Sequence, residues 1–350
     1  MRVLVTGHDG YIGAVLTPWL QAAGHDVVGL DSFLFEGCDF GEPAPAVEAY
    51  RVDLRDIEPA HLAGFDAVIH LAGLSNDVLG DLDPELTYDI NHRASVRLAQ
   101  FAKDAGVQRF LFSSSCSMYG TSGDDLLTEE SAFTPITPYA TSKVRVEEEL
   151  SKLADDSFTP VFLRNATVYG PSPRLRADLV VNNLVGYAVT TGEVRLQSDG
   201  SPWRPLVHVD DVCRAFGAVL AAPRVAVHNQ AFNVGRNEDN LQVRDIAAIV
   251  EQAVPGSRIT YAEGASPDSR CYRVDCSKLP RIIPAAKPQL TLRQGIEALY
   301  EAYTAEALTL GRFIDTYVRI KRIKELLGSA ALDPSLRWTA SEPVVAGGQN

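Results

Sequence analysis

The chain has 350 residues, enough to bury a full core, and is expected to form one large or two modest domains. Hydrophobic residues make up 46% and charged residues 22%, an ordinary globular balance, and the net charge of −13 argues against a nucleic-acid-binding surface, which needs clustered Lys and Arg. The five cysteines are scattered with no CxxC pair, no apolar run reaches transmembrane length, and the first strand begins at Arg2, so the expectation is no zinc site, no disulfide framework, no signal peptide and a cytoplasmic, reduced setting.

The apolar run Val3-Leu4-Val5 predicts a strand over 2–6, and it leads directly into Thr6-Gly7-His8-Asp9-Gly10-Tyr11-Ile12-Gly13. A helix follows, near 11–23. Glycines at this spacing allow a tight turn, a close approach to a pyrophosphate and close packing of helix on strand, and the helix N-terminus offers free N–H groups. A second strand, 26–30, ends at Asp31. An acidic residue there suits a ribose 2′-OH and repels a 2′-phosphate, which favours NAD over NADP. Further strands are predicted at 47–52, 66–71, 108–114 and 159–164, with helices near 84–104 and 138–154. Strand–helix alternation of this kind predicts an α/β fold, a doubly wound parallel sheet covered on both faces, with ligands at the strands' carboxyl ends.

Beyond residue 170 the pattern changes. Pro171-Ser172-Pro173 interrupts the chain, residues 182–191 read as a helix, 202–205 as a loop, 207–209 as a short strand and 242–254 as a helix. The expected organisation is a Rossmann domain over 1–170, with parts of 205–235 returning to its sheet. A smaller mixed α/β substrate lobe follows over 171–300, then a C-terminal helix and tail over 301–350. The basic run Arg319-Ile320-Lys321-Arg322-Ile323-Lys324 lies on an amphipathic helix predicted at 305–327 and reads as a solvated face. The last dozen residues read as a loose tail.

The chemistry is carried by Tyr139-Ala140-Thr141-Ser142-Lys143, after Pro138 near a helix start. Positions i and i+4 share a face. A Lys ammonium there is expected to lower the phenol pKa, giving a base or acid for a sugar or alcohol hydroxyl. One strand–loop unit earlier, Phe112-Ser113-Ser114-Ser115 ends a strand in three hydroxyls.

On these residues, with Asp31, Asp53-Leu54, His70-Leu71-Ala72-Gly73, Asn91 and Val168-Tyr169-Gly170-Pro171, residues 1–300 resemble the extended short-chain dehydrogenase/reductases that act on nucleotide sugars. The resemblance implies a dinucleotide site of Gly7, Gly10, Tyr11, Ile12, Gly13, Asp31, Asp53, Leu54, Leu71, Ala72, Gly73, Asn91 and Ser113. It makes Tyr139 the catalytic base. Lys143 would bond the nicotinamide ribose and tune Tyr139, and Ser115 would hydrogen-bond the reacting hydroxyl. For the substrate it implies Thr167, Asn183, Arg204 and Arg270, the two arginines on the diphosphate of a nucleotide diphosphate sugar. It also implies a homodimer paired through the helical segments 91–104 and 138–154.

Family members that eliminate water or carbon dioxide carry acids just after the hydroxyl cluster. This chain has Cys116 and Ser117 there, and Cys116 is one position from where related epimerases place a catalytic cysteine, so it reads as a packing residue. What remains resembles the UDP-galactose 4-epimerase pattern. The segment Leu163-Arg164-Asn165-Ala166-Thr167 departs from that pattern: Thr167 replaces the substrate-side asparagine and Ala166 the nicotinamide-side aromatic. Three functions stand open on these residues: an NAD-dependent epimerase acting through a 4-keto sugar, a 4-keto nucleotide-sugar reductase, and a non-catalytic NAD-binding sensor.

Overall fold

The structure is a computed structural model and describes residues 1–75, 77–80, 83–262 and 271–339. Seven parallel strands form the central sheet. In chain order they begin with β1 (Arg2–Thr6), β2 (Asp26–Asp31), β3 (Ala49–Arg51), β4 (Ala67–His70) and β5 (Arg109–Ser115), followed by Thr159–Asn165 and Gln230–Val234. In space the order is Gln230–Val234, Thr159–Asn165, β5, β4, β1, β2, β3. The order reverses between β1 and β4, so a crevice opens above their carboxyl ends, where ligands of doubly wound sheets sit. Val3, Val5, Ile69, Leu111 and Val161 face one layer of helices, and Leu4, Val68, Phe110, Phe112 and Phe162 face the other. Burial on both faces explains why these strands read as continuous apolar runs.

The stretch expected to return to the main sheet divides. Gln230–Val234 does return, on Thr159–Asn165. The strand Trp203–His208 instead pairs parallel with Thr167–Tyr169 and antiparallel with Asn240–Gln242. It thus absorbs the loop expected at 202–205, and Val209 opens a helix, Val209–Ala221, rather than closing a strand. A second core gathers Val181, Leu184, Ile246, Val250, Ile296, Leu299, Tyr303 and Phe313 from the helices Val180–Thr191, Val243–Ala253, Leu292–Ala305 and Leu310–Tyr317.

Two expected helices are interrupted. The segment 84–104 runs as Pro84–Thr87, a π-helical turn Tyr88–Arg93, and an α-helix Ala94–Asp104. The segment 305–327 is two helices, Leu310–Tyr317 and Arg319–Gly328, meeting at Val318. The solvated-face reading of its basic run fails at Arg319, which is 3% exposed. It opens the second helix just after the bend and is turned into the protein. Among the described residues no helix is long and apolar enough to cross a membrane. The expected tail lies outside the described residues.

Candidate active site

The crevice is floored by the loop that joins β1 to the helix Gly13–Ala22. Gly7 has φ +74°, and a Cβ there would lie 2.7 Å from the Ala72 amide nitrogen. A Cβ on Gly13 would lie 2.2 Å from the Gly7 carbonyl oxygen. The helix starts with Ile12 in the cap position and no side-chain cap, and the Ala14 and Val15 amides already bond the Gly10 and Ile12 carbonyls, so it is the turn ahead of them that faces a ligand. Gly10, Tyr11, Ile12, Leu54, Leu71, Ala72 and Gly73 join Gly7 and Gly13 in the lining. This donor-rich cradle, closed to any Cβ, fits the pyrophosphate of a dinucleotide. Tyr11 is anchored by its hydroxyl, which donates to the Gly170 carbonyl at 2.7 Å and accepts from Asn182 at 3.2 Å.

Three of the expected dinucleotide contacts are committed to protein partners. Asp31 lines the crevice, yet its carboxylate accepts from the amides of Asp9 (3.1 Å) and Phe33 (2.8 Å). Asp53 also lines it while capping the short helix Leu54–Asp56 and gripping the Arg55 guanidinium at 2.7 and 2.9 Å. Hydrogen bonds and charge from Arg55 hold the Asp53 carboxyl below the usual range, against an opposing effect of burial. Asn91 is not in the lining. It sits in the π-helical turn and clamps Leu74 through both amide and carbonyl, at 2.7 and 3.0 Å, bracing the loop that carries Leu71–Gly73.

The helix Pro138–Leu153 brings the hydroxyl chemistry to the crevice. Thr137 caps it, accepting from the Ala140 amide and donating to Asp77 at 2.7 Å, with Pro138 in the first turn. Tyr139 and Lys143 both face the crevice, with the ammonium 5.7 Å from the phenol ring centroid. Lys143 donates to the Ser113 carbonyl at 2.7 Å and lies 4.5 Å from the centre of the Phe112 ring. Ser115, the last residue of β5, lies close enough to Tyr139 to favour its ionised form. Opposite it, Asn165 donates to the Ser113 hydroxyl at 3.0 Å.

The electrostatics differ from the sequence expectation. Burial pushes the Tyr139 phenol up to about 12, and Ser115 only partly offsets this. Burial also lowers Lys143 to about 8, with Glu147 opposing. The ammonium bonds a carbonyl rather than the phenol oxygen, so in the ligand-free protein desolvation outweighs the expected depression of Tyr139. A stability trend follows. The folded lysine pKa lies below its unfolded value near ~10.4, so the unfolded chain binds more protons between those values. Wild type should therefore gain stability relative to Lys143→Met as pH rises from 8 toward 10. Denaturant unfolding of both proteins at pH 7 and 9.5 measures this, and an unchanged difference would refute it.

On the substrate side, Thr167 and Arg204 line the crevice. Arg204 is buried and donates to the Trp203 carbonyl at 2.9 Å. Asn183 does not reach the crevice lining. Its amide donates to the Ala177 carbonyl at 2.8 Å, while neighbouring Asn182 ties Tyr11, Gly170 and Arg176 together. Arg270 lies outside the described residues. Residues the sequence reading left out also line the site: Ser117, Asn165, Tyr272, Arg176 and Arg319. Asn165 stands in the same Leu163–Thr167 segment as Thr167 and ends its strand beside Ser115. Arg176 and Arg319 carried no local signal.

The comparisons decide the family. The model described as NAD dependent epimerase/dehydratase family matches residues 3–235. This chain belongs to that family. A UDP-glucose 4-epimerase of Mycolicibacterium smegmatis is 30% identical over 313 residues, covering 87% of this chain and 98% of that one. The Thermus thermophilus UDP-glucose 4-epimerase, solved as a complex with NAD, superposes with a TM-score of 0.75 at 25% identity, over 87% of this chain and 99% of that one. The dTDP-glucose 4,6-dehydratase DesIV of Streptomyces venezuelae has the same fold, with a TM-score of 0.76 at 24% identity over 89% of this chain and all of the other.

Within this NAD-dependent family, Cys116 is set apart from the chemistry. Its side chain is fully buried, its thiol reaches the Arg164 carbonyl at 3.1 Å, and burial pushes its pKa well up. Thiol reagents should leave Cys116 unmodified in the native protein and label it once the chain is unfolded. Peptide mass spectrometry checks this, and native labelling would contradict the packing role.

Proposed function

We propose that the protein is a nucleotide-sugar epimerase that oxidises the sugar at C4 transiently and then reduces it again. The observation that carries this reading is the site beside Tyr139. Ser115, Tyr139 and Lys143 converge on one crevice, and the next two positions after Ser115 hold no carboxylate. Cys116 turns into the core, and Ser117 faces the crevice with a hydroxyl lacking a partner among the described residues. The lining carboxylates each have a protein partner: Asp9 pairs with Arg174 through Oδ1, leaving its buried Oδ2 without one, Asp31 with backbone amides, Asp53 with Arg55 and Asp77 with Thr137. Elimination of water needs a free acid over the sugar, and this site presents hydroxyls instead.

NAD, held along the glycine turn of residues 7–13, would supply the hydride acceptor. Tyr139, ionised, takes the 4-hydroxyl proton as C4 gives up its hydride, and Ser115 holds the same oxygen. Ser115 by its hydroxyl and Arg176 by its charge favour the phenolate. Once the 4-keto sugar had turned in the site, Tyr139 would return the proton to the same oxygen as the sugar is reduced again, leaving the enzyme unchanged. Arg204 would hold the nucleotide diphosphate in place during this turn. Thr167 and Ala166, small beside the reacting sugar, suit a sugar bulkier than glucose at that edge.

The test is to incubate the purified protein with UDP-, dTDP-, GDP- and CDP-sugars and follow the products by NMR. Interconversion of C4 epimers without net NADH change supports the reading. Stoichiometric oxidation of added NADH by a 4-keto sugar would replace it with a reductase, and a 4-keto-6-deoxy product would make it a dehydratase. We also propose a homodimer packed through the helices at 91–104 and 138–154, where Val96, Phe101 and Val144 remain partly exposed. Light scattering at twice the chain mass would support it, and a monomer mass would refute it.

A further inference from the structure

Arg319 is a buried cation of the crevice that the chemistry above leaves without a role. It is 3% exposed and lines the same crevice as Gly10 and Asp31. Its Nη2 donates to the Arg174 carbonyl at 3.0 Å, and its guanidinium stacks 3.8 Å from the centre of the Phe35 ring. The carboxylates around it are claimed by other arginines. Arg174 takes Asp9 and Asp39, and Arg176 takes Asp178 at 2.7 Å. Among the described residues no carboxylate forms an ion pair with Arg319; burial and the Arg176 charge disfavour its cation, and Asp178, paired with Arg176, offsets this only in part. A guanidinium buried without an anion is costly. One buried at the wall of a ligand crevice is completed by an anionic ligand.

The chain around Arg319 shows which ligand. From Val318 to Thr339 it folds back over the loops that follow β2 and β3. Trp338 donates its indole N–H to the Ser32 carbonyl at 2.7 Å, and Arg337 pairs with Asp56. Ile323, Leu326 and Leu332 pack on Leu74 and Leu79, and Leu336 reaches the crevice beside Leu34 and Phe35. These loops frame the end of the crevice next to Asp31 and Asp53, away from Ser115.

We propose that residues 318–339 form a clasp over the adenosine half of the dinucleotide, with Arg319 binding its diphosphate. The clasp would hold NAD through repeated turnovers. It depends on the family's use of NAD and stands whether the net reaction is epimerisation, reduction or dehydration. A diphosphate could also come from the nucleotide sugar, and the experiment separates the two sources.

NADH binding to Arg319→Met is measured by fluorescence titration after the cofactor has been stripped, with ADP-ribose, adenosine, UDP and dTDP as further probes. Loss of a charge-assisted contact should weaken NADH and ADP-ribose by about 10- to 100-fold and leave adenosine, UDP and dTDP within about twofold, with Arg319→Lys intermediate. Unchanged NADH binding, or weakening confined to UDP and dTDP, would overturn the assignment. Should the variant fail to fold, hydrogen exchange on the unaltered protein decides. Saturating NAD should slow exchange across 318–339, and no change there would overturn the clasp.

Discussion

Tyr139→Phe should lower turnover by about 10²- to 10⁴-fold, the range that a positioned acid–base group contributes, while the purified protein keeps its NAD. The ring stays and only the hydroxyl goes, so the aromatic wall of the crevice is preserved. The hydroxyl is the group whose ionisation Ser115 favours, and Lys143 lies one helical turn away from it. The raised phenol pKa adds a second, directional expectation. Because the ionised form is the base, kcat/KM for sugar oxidation should climb as pH rises from 6 to 8 in wild type, and the Phe variant should lose that slope. A single-turnover measurement of NADH formation at several pH values reads both effects. A Phe variant within threefold of wild type would remove Tyr139 from the chemistry and favour a binding role for the site.

Glu147→Ala is expected to destabilise the fold by about 3–5 kcal/mol, because it leaves a buried cation unpaired. Glu147 and Arg164 have side chains only 6% exposed and meet at 2.6 Å. Arg164 also donates to the Tyr119 hydroxyl at 3.0 Å and the Glu129 carbonyl at 2.9 Å, and Tyr119 passes a bond on to Asn233 at 2.8 Å. The pair joins the helix that carries Tyr139 and Lys143 to the strand that ends at Asn165, so its loss loosens the catalytic helix as well. A native stability of about 5–15 kcal/mol leaves little margin for such a loss. Denaturant unfolding measures it. The double variant Glu147→Leu/Arg164→Met should recover much of the loss, since it removes both charges. A single variant costing under about 1 kcal/mol would show that water reaches Arg164.

The readings that held were those carried by short-range chemistry. The glycine turn at 7–13, the strands β1 to β5 and the placing of Tyr139 and Lys143 on one face depend on neighbours within a few residues, and the helix at 138–153 announces itself by Thr137 and Pro138. The helix Leu292–Ala305 carries a local signal of the same kind, the capping box of Thr291 and Gln294, which the sequence reading passed over. The alternation of strands and helices was enough for the sheet and its covering layers. By contrast, the break in the basic helix at Val318 has no proline or glycine to mark it, and the π-helical turn around Asn91 follows from the clamp on Leu74, a residue 17 positions away.

The sequence by itself therefore determined the fold class, the glycine turn after β1 and the shared face of Tyr139 and Lys143, because turn angles and i,i+4 geometry are local. Only the tertiary structure decided in which direction burial shifts those residues and which others join them. Burial is a property of everything packed around a group, so it could reverse the tuning expected between Lys143 and Tyr139. It also turned Arg319 from a solvated helix face into a cation at the wall of the crevice, since its surroundings are Phe35, Arg174 and Arg176, all more than a hundred residues away along the chain.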